Sequence, residues 1–392
     1  MNKKIPVMNM LLYIFLACTL TFVLTATSYQ TIVNKELSEY SDQQKRFSKL
    51  FKLDKLARSM YVNKIDEEKL TDGILDGYMN GLGDKYGLYL NKDNYAAFND
   101  ESDGKFTGIG VNIINLQDGT IKIVSTMKDS PAERAGIKPG DVIQSIGGQN
   151  VSELGYYETL NKFLGKEGST VDFTILRNGE PFNYSLKREK FQTYSVSFEM
   201  LENSIGYIKI SSFDGTTYAE FKSALDFLTK QGASSLIFDV RYNNGGDLDA
   251  ICKILDMLLP EGPIIRIRDK DGKEQVIKSD SNEVIKPMVV LINDQTYSAA
   301  ELFSAALRDY KKAELIGVKT YGKGTMQYVL DLGDGTGVDL STRKYLPPTG
   351  DNYEGIGVSP DIEVKLPDGV NFYDLSKQDD PQLQKAIDFL NK

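Results

Sequence analysis

From about residue 195 the chain alternates short apolar runs with helix-period segments, and this alternation limits that half of the protein to a layered α/β fold. Residues 205–210 read as a strand. Tyr218, Phe221, Leu225 and Leu228 follow at helical spacing, and Gly232 marks the end of that helix. A second strand, 236–240, runs into Arg241-Tyr242-Asn243-Asn244-Gly245-Gly246 and then a helix through Leu259. A third, 288–292, passes through Asn293-Asp294-Gln295 into a helix over 298–309. Repeated units of this kind gather their turns at one end of a mainly parallel sheet, where α/β sites form.

Length and composition narrow the function. The 392 residues suit two or three domains. The chain has no histidine, which excludes Ser-His-Asp and Cys-His catalysis and the usual histidine-rich metal centre. A net charge of -9 with no basic cluster gives no footprint for nucleic acid. Two cysteines, Cys18 and Cys252, cannot form a disulfide framework or a CxxC site, and Cys252 reads as a core residue. No cofactor or metal is expected.

The amino terminus reads as an export signal. Lys3 and Lys4 precede an uncharged apolar run over 11–26, and the next charge is Lys35. No small-x-small site ends the run, so residues 1–30 read as a single-pass signal-anchor with the remainder outside the cell membrane. A cleaved signal peptide, giving a secreted protein, is the other reading. A lipidation site at Cys18 is set aside because apolar sequence continues past it. Residues 31–102 read as helical, with Phe47, Leu50, Phe51, Leu53 and Leu56 on one stripe suited to packing or to a homodimer.

Residues 103–190 form a β-rich unit. Strands at 121–124 and 171–175 alternate, and Asn178-Gly179 sets a hairpin. Within it, Phe106-Thr107-Gly108-Ile109-Gly110-Val111 and the run SPAERAGIKPGDVIQSIGG resemble a PDZ domain. The physical logic is that amides around Gly108, Ile109 and Gly110 can face a terminal carboxylate while the strand from Val111 offers an edge to an added peptide. The resemblance makes Phe106 part of that loop and a helix over 156–164 the far wall of the groove, with Leu160 and Phe163 facing the peptide.

A serine hydrolase without imidazole needs another base, and a lysine serves if burial keeps its amine neutral. Lys323 lies between Gly322 and Gly324, which let backbone enclose it. Ser298 starts a helix after a buried strand, so the Ala299 amide can face a developing oxyanion, and the Gly245-Gly246 turn can supply a second donor. Taken singly, Ser298 would be a helix cap and Lys323 a solvated charge.

Together, Tyr297-Ser298-Ala299-Ala300-Glu301-Leu302, Tyr321-Gly322-Lys323-Gly324-Thr325-Met326-Gln327 and Gly355-Ile356-Gly357-Val358-Ser359-Pro360-Asp361 resemble the signatures of the carboxy-terminal processing peptidases, or tail-specific proteases. The resemblance implies a crotonase-like α/β protease core over 191–370 with an inserted PDZ domain, and a helical tail over 371–392. It implies Ser298 as nucleophile, Lys323, 25 residues on, as base, and Gln327 as the residue that orients the amine. The implied activity is endoproteolysis near the carboxy termini of exported proteins, whose flexible tails are the partners, with an activating protein a further one. Asp239 and Arg241 match a family pattern and read as anchors of the turn. Ala300 stands where many relatives have a second serine. Leu164, before Gly165-Lys166-Glu167-Gly168, stands where the family often has an arginine that links the PDZ domain to activity, so that coupling is open here. A proteolytically inactive PDZ scaffold and a crotonase-like acyl-CoA enzyme are the competing readings.

Overall fold

The computed structural model describes residues 6–392 except 103–104, 116–118, 128, 193, 368–369, 371 and 373–374; Lys3 and Lys4 lie outside the described residues. The chain divides into two compact units, 1–73 and 74–392. In the first, one helix runs unbroken from Val7 to Met60. The expected boundary near residue 30 leaves no mark on the backbone, because no glycine or proline interrupts 7–60. Its Val7–Asn34 stretch has a mean hydropathy of 2.2 and is long and apolar enough to cross a membrane.

The second unit holds the β-rich unit and the α/β layers. In the β-rich part the sheet order is Val111–Asn115, Ile121–Thr126, Val142–Ile146, Thr170–Arg177, Glu180–Lys187, with the last two joined by the Asn178-Gly179 hairpin. Both hairpin residues have positive φ (54° and 83°), as a two-residue loop between twisted strands requires. The Val111–Asn115 strand is an edge. Ile109, Ile123, Ile146, Phe163 and Ile175 fill the core beneath it.

The main sheet of the α/β part runs Val196–Leu201, Ile205–Ile210, Ser235–Asp239, Met288–Ile292, Ala313–Gly317, Ile362–Glu363. Its first pair is antiparallel and the rest are parallel. Side chains alternate between faces. Leu236, Phe238, Val290 and Ile292 join the core formed with the helices Thr217–Lys230, Leu248–Leu258 and Ala299–Asp309. Ile237, Val289 and Leu291 face Leu383 and Ala386 of the helix Pro381–Leu390. Burial on both faces explains the unbroken apolar runs. The carboxy-terminal helix thus lays its apolar side on its own sheet.

A second, antiparallel sheet was not legible in advance. Gly337–Leu346 is its axis, flanked by Leu88–Leu90, Gly262–Asp269 and Thr325–Asp331, with Glu274–Ser279 beyond Gly262–Asp269.

At the end of the Ser235–Asp239 strand, Arg241 is 2% exposed and bonds Asp239 through Nε (2.9 Å) and Nη2 (2.6 Å). Its guanidinium also reaches Asp380 Oδ2 at 2.8 Å and Gln382 Oε1 at 2.8 Å, tying the last helix to the turn. Burial raises the Asp239 carboxyl, but Arg241 outweighs it and holds the group below the usual carboxylate range. Arg241→Ala strands two buried carboxylates and is expected to lower unfolding free energy by about 3–5 kcal/mol in urea titrations; a loss under 1 kcal/mol would contradict this account.

Candidate active site

The turns at the carboxy ends of the parallel strands are stitched together before any reactive group is placed. Thr296 Oγ1 donates to the Val240 carbonyl at 2.8 Å, the Tyr297 amide to the Asn243 carbonyl at 3.1 Å, and the Tyr242 amide to Asn293 Oδ1 at 3.0 Å. Ser298 follows at φ 62° and ψ -124°, a conformation that L-residues rarely adopt and that holds a side chain up at a strand-to-helix elbow. The helix it starts is almost wholly buried.

Glu301, one turn into that helix, fixes the elbow. Its carboxylate is fully buried and accepts from four groups: the Ser298 amide (2.9 Å), the Lys323 amide (2.8 Å), the Gly322 amide (2.7 Å) and the Thr320 hydroxyl. Burial pushes its carboxyl up, and these donors oppose the push. Two segments about 20 residues apart therefore share one anchor. The third motif closes the same loop: the Gly355 amide donates to the Gly322 carbonyl at 2.8 Å, and a Cβ on Gly322 (φ 94°) would lie 2.8 Å from the Gly357 amide. That approach is the need for glycine beside Lys323.

Lys323 is 9% exposed. Its Nζ donates to Gln327 Oε1 and lies 4.5 Å from the Tyr86 ring centre, with Tyr297 at 5.8 Å. Burial pushes the amine below the ordinary lysine range, against the pull of Asp339, Glu354, Asp84 and Glu301. Its hydrogen bond goes to Gln327, whereas Ser298 Oγ lies 3.1 Å from the Tyr345 hydroxyl, which also donates to the Lys323 carbonyl at 2.6 Å.

Among the expected oxyanion donors the two glycines separate. The Gly245 amide is committed to Asn243 Oδ1 at 2.7 Å, which corrects its expected role. Gly245 instead forms the surface against which the elbow packs, since a Cβ there would sit 2.7 Å from Ser298 Cβ. Gly246 (φ 134°) is exposed beside it, and Ala299 lies at the helix start. In the β-rich unit, Phe106 lies on a short strand paired with Phe191, and the Gly108, Ile109, Gly110 stretch leads into the edge strand. Ile109 and Val111 turn their side chains into the core, so only their backbone is offered outward. Phe163 is corrected from groove wall to core: it is 1% exposed and meets Phe173 edge-on at 5.1 Å, leaving the partly buried Leu160 on that side.

Glu301, Tyr345, Tyr86 and Asp339 escaped sequence reasoning. The Ser-x-x-Glu spacing of a capping box was the one signal for Glu301. The others come from distant segments. Glu301→Ala leaves four buried donors unmatched and is expected to destabilise the 74–392 unit by about 3 kcal/mol or more by calorimetry; an unchanged melting temperature would refute the anchor.

Comparison with known proteins agrees with this geometry. Residues 204–364 match peptidase family S41, 107–187 a PDZ domain, and 13–94 the activating protease CtpB N-terminal domain. The chain is 36% identical over 355 residues to the carboxy-terminal processing protease CtpA of Bacillus subtilis (strain 168), covering 90% of this chain and 75% of that one. It is 33% identical over 353 residues to a probable CtpA-like serine protease of Staphylococcus aureus (strain COL), covering 89% and 71%. The solved photosystem II D1 C-terminal processing protease superposes with a TM-score of 0.60 at 28% identity, over 80% of this chain and 86% of that one. A putative S41 protease from Bacteroides fragilis NCTC 9343 shares the fold at a TM-score of 0.52 and 18% identity, over 85% and 92%. The chain belongs to peptidase family S41 and is a serine-type peptidase of the carboxy-terminal processing protease group.

Proposed function

We propose that this peptidase cuts exported proteins near their carboxy termini, with Ser298 as nucleophile and Lys323 as general base. The observation that carries the reading is the Glu301 carboxylate, which holds the backbone of both residues in one frame beside a lysine whose burial favours the neutral amine. As a substrate carbonyl arrives, Lys323 keeps an N–H on Gln327 Oε1 and brings the lone pair of its neutral amine to Ser298 Oγ; catalytic hydrogen bonds commonly close only in the substrate complex. Ser298 Oγ attacks, its proton passes to Nζ, and the amides of Ala299 and Gly246 receive the oxyanion. Collapse breaks the C–N bond, Nζ returns the proton to the leaving amine, and water releases the acyl group by the same path. Gln327 orients the amine throughout.

The remaining parts fit a crotonase-like core working outside the cytoplasm. The Val7–Asn34 stretch serves as a signal-anchor, with the catalytic unit on the outer side. The exposed edge of Val111–Asn115 takes the substrate's tail as an added strand, with backbone amides near Gly110 for its carboxylate. The match to an activating protease's N-terminal domain supports regulation by a protein partner or by a second copy of the chain.

Ser298→Ala and Lys323→Ala are each expected to lower cleavage of an unfolded exported protein by roughly 10³-fold or more, read as peptide release by mass spectrometry. Undiminished cleavage by either variant sinks the dyad. Because burial lowers the Lys323 amine from its ordinary value, kcat/KM should rise with pH as that amine loses its proton and level off above it. A profile that falls over the same range would exclude lysine as the base.

A further inference from the structure

Gln327 is held at both ends of its amide. Its Nε2 donates to Asp339 Oδ2 at 2.7 Å and to the Tyr86 carbonyl, and its Oε1 accepts from Lys323 Nζ. A carbonyl and an ionised carboxylate only accept, and an ammonium only donates. A flipped amide would therefore set its oxygen against the Tyr86 carbonyl and the Asp339 carboxylate. The orientation that serves Lys323 is imposed from the far side, by Asp339 and Tyr86.

Asp339 has a second oxygen. Oδ1 is buried and meets no hydrogen-bond partner. Burial first, and then the like charge of Asp84, push this carboxyl up to about 6, while Lys323 pulls it down. A proton on Oδ1 removes the charge and leaves the Oδ2 bond to Gln327 in place. Asp339 sits on the Gly337–Leu346 strand between two neighbours. Lys323 and Gln327 face it from the Thr325–Asp331 side, and Asp84 and Tyr86 from the segment before Leu88. Asp84 is itself anchored by the Ser341 amide (2.9 Å) and hydroxyl (2.9 Å). Of the carboxylates that favour the charged lysine, Asp339 acts most strongly, ahead of Glu354, Asp84 and Glu301.

We infer that Asp339 is a positioning residue for the base: through Gln327 it fixes where the Lys323 amine sits, and through its own charge it biases that amine toward the ammonium form. The inference rests on Lys323 being the base. Two substitutions separate the two actions. Asp339→Asn keeps an oxygen for Gln327 Nε2 and drops the charge, whereas Asp339→Leu removes both.

The test is the pH profile of kcat and KM for cleavage of fluorescein-labelled casein by the full chain in detergent, with active sites counted by a serine-reactive fluorophosphonate. For Asp339→Asn the rising limb of kcat/KM should move to lower pH with KM unchanged. For Asp339→Leu the limb should move likewise and the high-pH plateau of kcat should fall about tenfold, since an unaligned base loses part of its contribution. An Asp339→Asn profile that superimposes on the parent overturns the inference, as does equal loss in both variants, which would mark a merely structural residue. If Asp339→Asn melts as an unfolded chain, Asp339→Thr, an uncharged acceptor, must show the same shift. Lys323→Ala, run alongside, distinguishes the failures: full activity there removes the base itself, while an inactive Lys323→Ala with an unshifted Asp339→Asn removes only the role of Asp339.

Discussion

The Glu301 carboxylate is the interaction on which the site depends. Ser298 adopts a backbone conformation that costs about 1–3 kcal/mol, and nothing in its own sequence favours it. The bond from its amide to Glu301 Oε2 holds that conformation from one side, and the packing of Gly245 against its Cβ holds it from the other. A hydrogen bond to a charged group contributes about 1.5–3 kcal/mol, so one such bond is of the size needed to offset the strain. The same carboxylate takes the amides of Gly322 and Lys323. Strain at Ser298 and placement of the lysine backbone are therefore one problem with one solution.

The parts legible in sequence were those set by local pattern. The strands around 236–240 and 288–292 carry the apolar runs of a sheet buried on both faces, and the Asn178-Gly179 pair carries the positive φ of its hairpin. The Ser, Lys and Gln positions stood out because motifs flank them. What could not be read depends on pairing across long stretches. Gly337–Leu346 meets Leu88–Leu90 some 250 residues away, and that meeting delivers Tyr86 and Asp84 to the lysine. Gly245 was misread for a related reason: a paired-glycine turn offers two amides, and only the contact with Asn243 decides which one is occupied. Phe163 likewise has helical spacing suited to a groove, and only Phe173 across the core claims it.

The segment before Leu88 therefore does more than lead into the protease layers. Tyr86 places its ring beside the amine, its carbonyl on Gln327 and its hydroxyl 3.3 Å from Glu354, whose Oε2 also accepts from the Gly324 amide. One residue from outside the 204–364 S41 region thus touches both flanks of the lysine loop. Displacing it would release Gln327 and expose the amine to water together. Exposure favours the charged amine, so Lys323, the proposed base, would lose orientation and neutrality in one movement.

Tyr345 sets the resting contacts of Ser298. Its hydroxyl has a single hydrogen and lies 2.6 Å from Lys323 O and 3.1 Å from Ser298 Oγ. A backbone carbonyl can only accept, so the tyrosine's hydrogen belongs to the Lys323 carbonyl. The phenol oxygen also lies against Ser298 Oγ, by the longer of its two contacts. Burial holds the Tyr345 hydroxyl well above its ordinary range, so the phenol keeps its proton near neutral pH. The serine hydroxyl therefore rests against the phenol, while the lysine amine rests on Gln327. In the proposed mechanism the contact with Tyr345 is exchanged for one between Ser298 and Lys323 before attack. On the same proposal, an arriving carbonyl that draws Ser298 Oγ toward the Gly246 and Ala299 amides would favour that exchange.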